Sequence, residues 1–273
     1  MTSASDWRAR TGRAWADNYA LTDRALFGVT RQMLARLEAL PGEIILDIGC
    51  GAGETALILA QSRPNARVTG LDISPDLIDA ARIRGAGHAN LRFLLADAAD
   101  WQAGEDRPDL LVSRHGVMFF NDPVAAFGHL REQSLPGAQL GFSCFRDSAS
   151  NIWASGLAQL LELPAPVDPH APGPFAFADP ARVQAILAAA GWQDITLEPV
   201  DFNFVTGKGF DPVADSLAFL SRIGPASVAI REMAETERSR ALTRIAQWLG
   251  SFCSDDEVAM PAAAWLVVAR NPA

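Results

Sequence analysis

Short apolar runs and stretches with helical spacing alternate through most of the chain, and turn-forming residues separate them. The apolar runs predict strands at 43–48, 67–72, 91–95, 109–113, 139–145, about 193–205 and 262–269. Helical spacing predicts helices at 5–40, 54–62, 75–84, 123–134, 180–190, 212–222 and 225–250. Strands that alternate with helices form parallel βαβ units. The pattern therefore predicts an α/β fold with a doubly wound, mostly parallel sheet.

Two irregular blocks interrupt the alternation in the second half of the chain. Residues 146–178 are rich in proline and follow strand five, and residues 206–258 follow strand six. Ligands of open α/β sheets bind beyond the carboxyl ends of the strands. Both blocks are therefore predicted to be insertions that cap a substrate site, within a single domain over residues 1–273.

The first strand runs directly into three glycines at alternate positions, Gly49, Gly51 and Gly53. A strand, a glycine turn and the start of a helix let a ligand approach the backbone closely. The spacing is G-x-G-x-G, whereas a dinucleotide fingerprint needs G-x-G-x-x-G, and Glu54 stands where its last glycine would be. No Lys-Ser/Thr pair of a P-loop follows. Asp47 at the end of the strand would repel a phosphate and suits a cationic ligand.

Residues 47–53 resemble the first motif of the class I S-adenosylmethionine-dependent methyltransferases, acid-x-Gly-x-Gly-x-Gly. The resemblance covers roughly residues 43–145, which look like the branch that includes the ubiquinone/menaquinone C-methyltransferases and trans-aconitate methyltransferase. It implies a Rossmann-like sheet with a C-terminal antiparallel strand. It also implies S-adenosyl-L-methionine as methyl donor, S-adenosyl-L-homocysteine as product, and a small molecule as substrate.

The resemblance assigns roles to acids at the ends of the next two strands. Asp72 ends strand two and is expected to accept both ribose hydroxyls. Asp97 ends strand three and is expected to face the adenine amino group, with the backbone amide of Ala98 on a ring nitrogen. The complete set of predicted cofactor-binding residues is Trp15, Tyr19, Asp47, Gly49, Cys50, Gly51, Asp72, Ile73, Asp97, Ala98 and Arg114.

Trp15 and Tyr19 lie one helical turn apart in the N-terminal segment. In relatives this segment closes over the cofactor, so residues 1–40 are expected to form a helical lid. An aromatic hydroxyl there can touch the methionine carboxylate. The alternative is that the two rings form a hydrophobic face on the core. Cys50 lies inside the glycine turn, where a small side chain is needed for packing.

His115 directly follows strand four and is the predicted catalytic residue. In the family this segment lies between cofactor and acceptor. Imidazole titrates near neutrality and can take a proton from a phenol or an activated carbon acid. The alternative is that His115 packs or orients the substrate without proton transfer. No metal site is predicted, because no histidines, cysteines and carboxylates have ligand spacing, and strand four ends at Ser113 where cation-dependent catechol-type enzymes place an acid.

Aromatic residues are concentrated in the predicted cap. The candidates are Phe119, Phe120, Trp153, Phe175, Phe177, Phe202, Phe204 and Phe219. Some of them must belong to the ordinary core. Those in the irregular loops are expected to line a pocket, which favours an apolar or aromatic methyl acceptor.

Composition excludes several classes of partner. The net charge is −9 and the chain has a single lysine, Lys208, so a nucleic-acid partner is not expected. No apolar stretch approaches the ~20 residues of a membrane span. No secretory signal is visible, and three scattered cysteines are typical of a reduced, cytoplasmic setting. The sequence gives no oligomeric state.

Two other functions stay open at this point. One is a nicotinamide-dependent dehydrogenase on a similar sheet, against which the glycine spacing argues. The other is a regulatory protein that binds S-adenosylmethionine without catalysis, against which His115 and the aromatic cap argue.

Overall fold

A computed structural model describes residues 4–272. Its strands, in chain order, are β1 (Ile44–Ile48), β2 (Arg67–Asp72), β3 (Leu91–Leu95), β4 (Leu110–Arg114), β5 (Gln139–Phe145), β6 (Gln193–Lys208), β7 (Cys253–Ser254) and β8 (Glu257–Arg270). They form one sheet in the order β3-β2-β1-β4-β5-β8-β6, and β7 pairs with β8 as a short hairpin. Strands β1 to β5 pair in parallel, whereas β8 runs antiparallel to both β5 and β6. The predicted fold class is confirmed, including the antiparallel C-terminal strand.

Helices surround this sheet on both faces. They are α1 (Ala4–Trp7), α2 (Arg10–Asp17), α3 (Tyr19–Glu38), α4 (Glu54–Ser62), α5 (Pro75–Gly85), α6 (Pro123–Gln133), α7 (Ile152–Leu160), α8 (Pro180–Ala189), α9 (Pro212–Leu220), α10 (Pro225–Glu232) and α11 (Glu235–Gly250). Two 3₁₀ turns occur at Val117–Phe119 and Ser148–Ser150. Ser74 and Asp122 cap α5 and α6 by accepting backbone N–H groups, as their positions before Pro75 and Pro123 predict.

The strand order determines where on the sheet a ligand site is expected. The chain moves outward from β1 to β2 and β3, and then returns to pair β4 with the other edge of β1. Loops that leave β1 and β4 therefore diverge from neighbouring strands. Open α/β sheets bind their ligands at such a switch point.

The N-terminal segment differs from its prediction, because it contains three helices and not one continuous helical stretch over 5–40. The break between α2 and α3 occurs at Asn18, whose backbone leaves the helical region and whose side chain donates to Ala14 O at 2.7 Å. Helix α2 packs on the start of α5 so closely that a Cβ on Gly12 would lie 2.1 Å from Ser74 Oγ. Only glycine allows this approach.

The predicted helix over 225–250 is also divided in two. Met233 and Ala234 have extended backbones, and no glycine or proline lies between α10 and α11 to indicate the break in the sequence. The Arg238 guanidinium donates to the carbonyls of Ile230, Arg231 and Met233 at 2.9 to 3.2 Å. These bonds satisfy carbonyls that the end of α10 would otherwise leave without partners. Helix α7 inside the block 146–178 and the β7 hairpin were likewise not predicted.

Candidate active site

A pocket of about 420 Å³ lies beyond the carboxyl ends of β1, β2, β3 and β4. The eleven predicted cofactor-binding residues and His115 all line it. The lining also includes Trp7 and Asp23 from the N-terminal helices, Trp153 from α7, and Phe219 from α9. The fold therefore brings the three acid-bearing strand ends, the N-terminal segment and both irregular blocks to one site.

The glycine turn is shaped to leave room for a ligand. Gly49, Gly51 and Gly53 all have positive φ angles, of +63°, +55° and +88°, which favour glycine. A Cβ on Gly51 would meet nothing within 4 Å, so it would extend into the open pocket. A Cβ on Gly49 would instead lie 3.0 Å from the Cα of Gly116. Gly51 therefore keeps space for a ligand, whereas Gly49 lets the β1 and β4 loops touch.

Asp72 holds the turn in this shape. Its carboxylate accepts the N–H of Gly51 at 2.9 Å and the N–H of Ser74 at 2.9 Å. Burial raises the pKa of Asp72, and the backbone N–H groups of Ser74, Gly51 and Ile73 act in the opposite direction. An ionised carboxylate can accept about four hydrogen bonds, so capacity remains for hydroxyl groups of a ligand.

Asp47 is the most isolated acid of the site. It ends β1 with 1% of its surface exposed, and neither carboxylate oxygen has a hydrogen-bond partner among the described residues. Burial raises the pKa of Asp47 to about 7, although the Arg114 charge and the backbone N–H of Ala56 act to lower it. A buried polar group without a partner is costly, and such groups occur at ligand sites.

Arg114 is the centre of a charge network that the sequence did not reveal. Its guanidinium donates to Glu54, to Asp23 at 3.1 Å and to Thr30 Oγ1 at 2.9 Å. Asp23 also pairs with Arg84 at 2.8 Å. The network joins α3 to the ends of β4, α4 and α5. Asp23 could have been suspected, because it lies four residues after Tyr19 and therefore on the same helix face.

The N-terminal helices cover the adenine end of the predicted cofactor site. The Trp7 ring makes edge contacts with Trp15 and Phe119, at centroid distances of 5.3 and 5.2 Å. Arg8 lies 3.5 Å from the Asp97 carboxylate. Trp7 was not predicted as a site residue, and its indole nitrogen is buried without a partner in the described structure.

His115 is held in a strained and buried position after β4. Its φ is +58°, which is unusual for a residue with a side chain. Nδ1 lies 2.8 Å from Ser143 Oγ, and the ring packs edge-on against Phe145 at 4.1 Å. Nε2 is buried without a partner among the described residues. Burial, and then the Arg114 charge, lower the pKa of His115 to about 3, so the imidazole is neutral at physiological pH.

Aromatic side chains form a further part of the pocket wall. Trp153 stacks on Phe204 at 4.9 Å and contacts Phe145 at 5.2 Å. Of the predicted cap aromatics, those that line the pocket are Phe119, Phe120, Trp153, Phe204 and Phe219. Phe175 supports this wall from behind by stacking on Trp153, whereas Phe177 packs in the core with Phe127 and Phe142.

No helix among residues 4–272 is long and apolar enough to cross a membrane. Within the same residues, no group of three or more histidines, cysteines and carboxylates is arranged to hold a metal ion.

Comparisons with known proteins agree with the geometry. The family described as "Methyltransferase domain" matches residues 45–137. The chain is 32% identical over 214 residues to the trans-aconitate 2-methyltransferase of Streptomyces coelicolor, which covers 68% of this chain and 66% of that protein. It is 35% identical over 105 residues to the malonyl-[acyl-carrier protein] O-methyltransferase of a Paenibacillus strain, which covers 37% of this chain and 38% of that protein.

The chain belongs to the class I S-adenosylmethionine-dependent methyltransferases. The fold agrees with that of phosphoethanolamine N-methyltransferase 2 from Haemonchus contortus in complex with S-adenosyl-L-methionine. The TM-score is 0.56 at 17% identity, over 100% of this chain and 61% of that one. The resemblance to this family, predicted from residues 43–145, is thereby confirmed.

The pocket fits the family's cofactor. The space in front of Gly51 admits a ligand against the backbone, and the orphaned carboxylate of Asp47 suits its positive charge. Asp72 is predicted to accept the ribose hydroxyls, and Asp97 is predicted to face adenine. When bound, S-adenosylmethionine supplies a methyl group activated by a sulfonium. These individual residue contacts remain predictions.

Proposed function

We propose that this protein transfers a methyl group from S-adenosylmethionine to a small apolar or aromatic acceptor by in-line displacement. One observation carries the proposal: a single pocket joins the acid-bearing strand ends to a wall of stacked aromatic rings. The wall is formed largely by Phe145, Trp153, Phe204 and Phe219. Such a surface gains free energy by burying a hydrocarbon or ring, roughly in proportion to the apolar area removed from water.

The charges of the pocket argue against a polyanionic acceptor. The Streptomyces relative is named for trans-aconitate, a tricarboxylate. Arg114 is the one cationic side chain among the described residues of the lining, and its guanidinium is already engaged by Glu54 and Asp23. A tricarboxylate would therefore enter a pocket without a cation to receive it. The acceptor is better described as uncharged where it contacts the aromatic wall.

His115 is proposed to orient the acceptor. If Nδ1–H donates to Ser143 Oγ, the Nε2 lone pair faces the pocket and can accept a hydrogen bond from an acceptor hydroxyl. Complete proton transfer would create a buried cation beside Arg114, which the causes of the low pKa oppose. The structure therefore favours orientation over general-base catalysis, the alternative that the sequence left open.

The remaining work of the protein is alignment and exclusion of water. A sulfonium leaves as a neutral thioether, so no anionic leaving group has to be stabilised. Correct alignment of two reactants recovers on the order of 7–11 kcal/mol of the barrier. Trp7, Trp15 and Trp153 line the pocket, and their apolar rings would help to exclude water from it. The segments 1–40, 146–178 and 206–258 are accordingly proposed as lid and substrate caps.

The test is transfer of labelled methyl from S-adenosylmethionine to a panel of phenols, quinols, apolar carboxylic acids and trans-aconitate. We expect transfer to at least one ring-bearing, uncharged acceptor and none to trans-aconitate. Transfer to trans-aconitate alone would contradict the proposed acceptor class. Binding of S-adenosylhomocysteine in a thermal-shift assay, with no transfer to any acceptor, would favour the regulatory alternative. Stabilisation by NAD instead would favour a dehydrogenase.

A further inference from the structure

Asp47 is a buried carboxyl group for which the surrounding protein provides little compensating charge. It is 1% exposed, and both of its carboxylate oxygens lack a hydrogen-bond partner among the described residues. A carboxylate in such a position normally acquires hydrogen bonds or a counter-ion. The other strand-end acids of the pocket differ, because Asp72 accepts two backbone N–H groups and Asp97 pairs with Arg8.

The groups that surround Asp47 supply only part of the compensation that a buried carboxylate needs. The backbone N–H of Ala56, in the first turn of α4, acts to lower its pKa, but it carries no full charge. Arg114 on β4 is the nearby cation, but its guanidinium donates to Glu54, Asp23 and Thr30. Asp72 on β2 adds a second negative charge, and the Cys50 thiol in the glycine turn has a pKa that burial and these two acids raise, so it stays protonated. His115 is neutral. Acidic side chains therefore outnumber basic ones around Asp47: the acids are Asp47, Asp72, Asp23 and Glu54, and the nearby cation is Arg114. Arg84 pairs with the carboxylate oxygen of Asp23 that Arg114 does not contact.

We propose that Asp47 is a specificity-determining residue that makes the pocket prefer the positively charged methyl donor over its neutral thioether product. The inference rests on the proposed cofactor use. S-adenosylmethionine and S-adenosylhomocysteine share their ammonium, carboxylate, ribose and adenine, and differ by the sulfonium methyl. An uncompensated charge in a pocket of low dielectric acts on that one differing charge over several ångströms. Loss of the sulfonium charge during the reaction then weakens the hold on the product and favours its release.

This preference should depend on pH in a defined direction. Burial raises the pKa of Asp47 to about 7 from its ordinary 3.8. Above that value the carboxylate is ionised and discriminates between the two ligands. As pH falls below it, the group is protonated in the empty pocket and with the neutral product, so the preference for the cationic ligand declines.

The experiment compares two stable ligands by calorimetry between pH 5.5 and 8.5. One is S-adenosylhomocysteine. The other is sinefungin, which carries a protonated amine where the donor has its sulfonium. We expect the Kd of S-adenosylhomocysteine divided by the Kd of sinefungin to increase as pH rises, by on the order of 10-fold across the range. The Asp47→Asn variant keeps the shape and loses the charge, so its ratio should be smaller and independent of pH.

A matched control removes a charge elsewhere. Glu132→Gln alters an exposed residue near the end of α6, and it should keep the wild-type ratio and pH dependence. A wild-type ratio that is constant with pH, or an Asn variant with the wild-type dependence, would overturn the inference. If Asp47→Asn does not fold by circular dichroism, the wild-type pH curve alone decides. Failure of both ligands to bind the wild type would instead refute the proposed cofactor.

Discussion

The two sides of the pocket are built in opposite ways. On the cofactor side, Asp47, Gly51 and Asp72 lie at strand ends and in one short turn, and backbone hydrogen bonds fix their positions. On the acceptor side, Trp153, Phe204 and Phe219 come from an inserted helix, a long edge strand and another helix, and contacts between their rings join these segments. The first side depends on local chain conformation, and the second on packing between distant segments.

This difference explains what each side can specify. A turn held by backbone bonds presents the same donors and space to any ligand that fits, which suits an invariant cofactor. A wall of packed side chains can change shape with single substitutions, which suits a variable acceptor. Substitutions on the cofactor side should therefore weaken or abolish cofactor binding, whereas those on the acceptor side should change the rate or the choice of substrate.

The largest effect is expected for Gly51→Val. Its φ of +55° is unfavourable for a β-branched residue, and the added side chain would fill the ligand's space. We expect S-adenosylhomocysteine binding to be undetectable by calorimetry, with the sheet intact by circular dichroism. Gly104→Val is a matched control, because Gly104 has a φ of +61° and open space around it but lies outside the pocket. Binding by the Gly51 variant would place the cofactor elsewhere.

The cofactor side could be predicted because its signals are local in sequence. The bounds of β2, β3, β5 and α4 agree with those expected from apolar runs and turn residues. The acids follow the strands directly, and parallel strands must bring their ends to one edge of the sheet. The family resemblance then supplied their roles.

The acceptor side could not be predicted to the same extent, because its contacts join residues far apart in the chain. Phe177 and Phe204 both looked like cap aromatics, yet one is core and the other lines the pocket. Helix α7 lies in a segment whose prolines suggested irregular structure. The positive φ and low pKa of His115 arise from packing against Ser143 and Phe145, which no local pattern encodes.

A smaller effect is expected for Asp72→Ala. This substitution tests whether Asp72 both stabilises the glycine turn and binds the ligand. Charge-assisted bonds to ribose contribute about 1.5–3 kcal/mol each, so we expect at least about a 10-fold loss of S-adenosylhomocysteine affinity. The variant also leaves the N–H groups of Gly51 and Ser74 without an acceptor, at a cost of about 1–3 kcal/mol in the free energy of unfolding. Calorimetry and urea unfolding measure the two losses separately. Unchanged affinity would remove Asp72 from the cofactor site.

Changes at His115 test the acceptor side once an acceptor is known. Loss of one orienting hydrogen bond in His115→Ala should lower kcat/KM by about 10-fold, with S-adenosylhomocysteine affinity unchanged. His115→Asn should recover part of the rate. Because burial lowers the pKa of His115 to about 3, its protonation should not appear in the pH–rate profile between pH 5 and 9. A deprotonation near 6.5 that disappears in the variant would restore the general-base role. His170→Ala, at an exposed position outside the pocket lining, is the control.

The smallest effect is expected where the lid meets the cofactor side. Arg8 and Asp97 are 3.5 Å apart and partly exposed, and such surface pairs contribute about 0–1 kcal/mol. Because this pair is weak, removal of the Arg8 side chain should destabilise the lid little. It also frees the Asp97 carboxylate, which is expected to face adenine and for which Arg8 competes. Arg8→Ala should therefore leave S-adenosylhomocysteine affinity unchanged or raise it by no more than about 3-fold, and raised salt should reduce the difference from wild type. A loss of affinity greater than 10-fold would mean that Arg8 itself binds the ligand. The N-terminal lid would then be part of the cofactor-binding site and not only a cover over it.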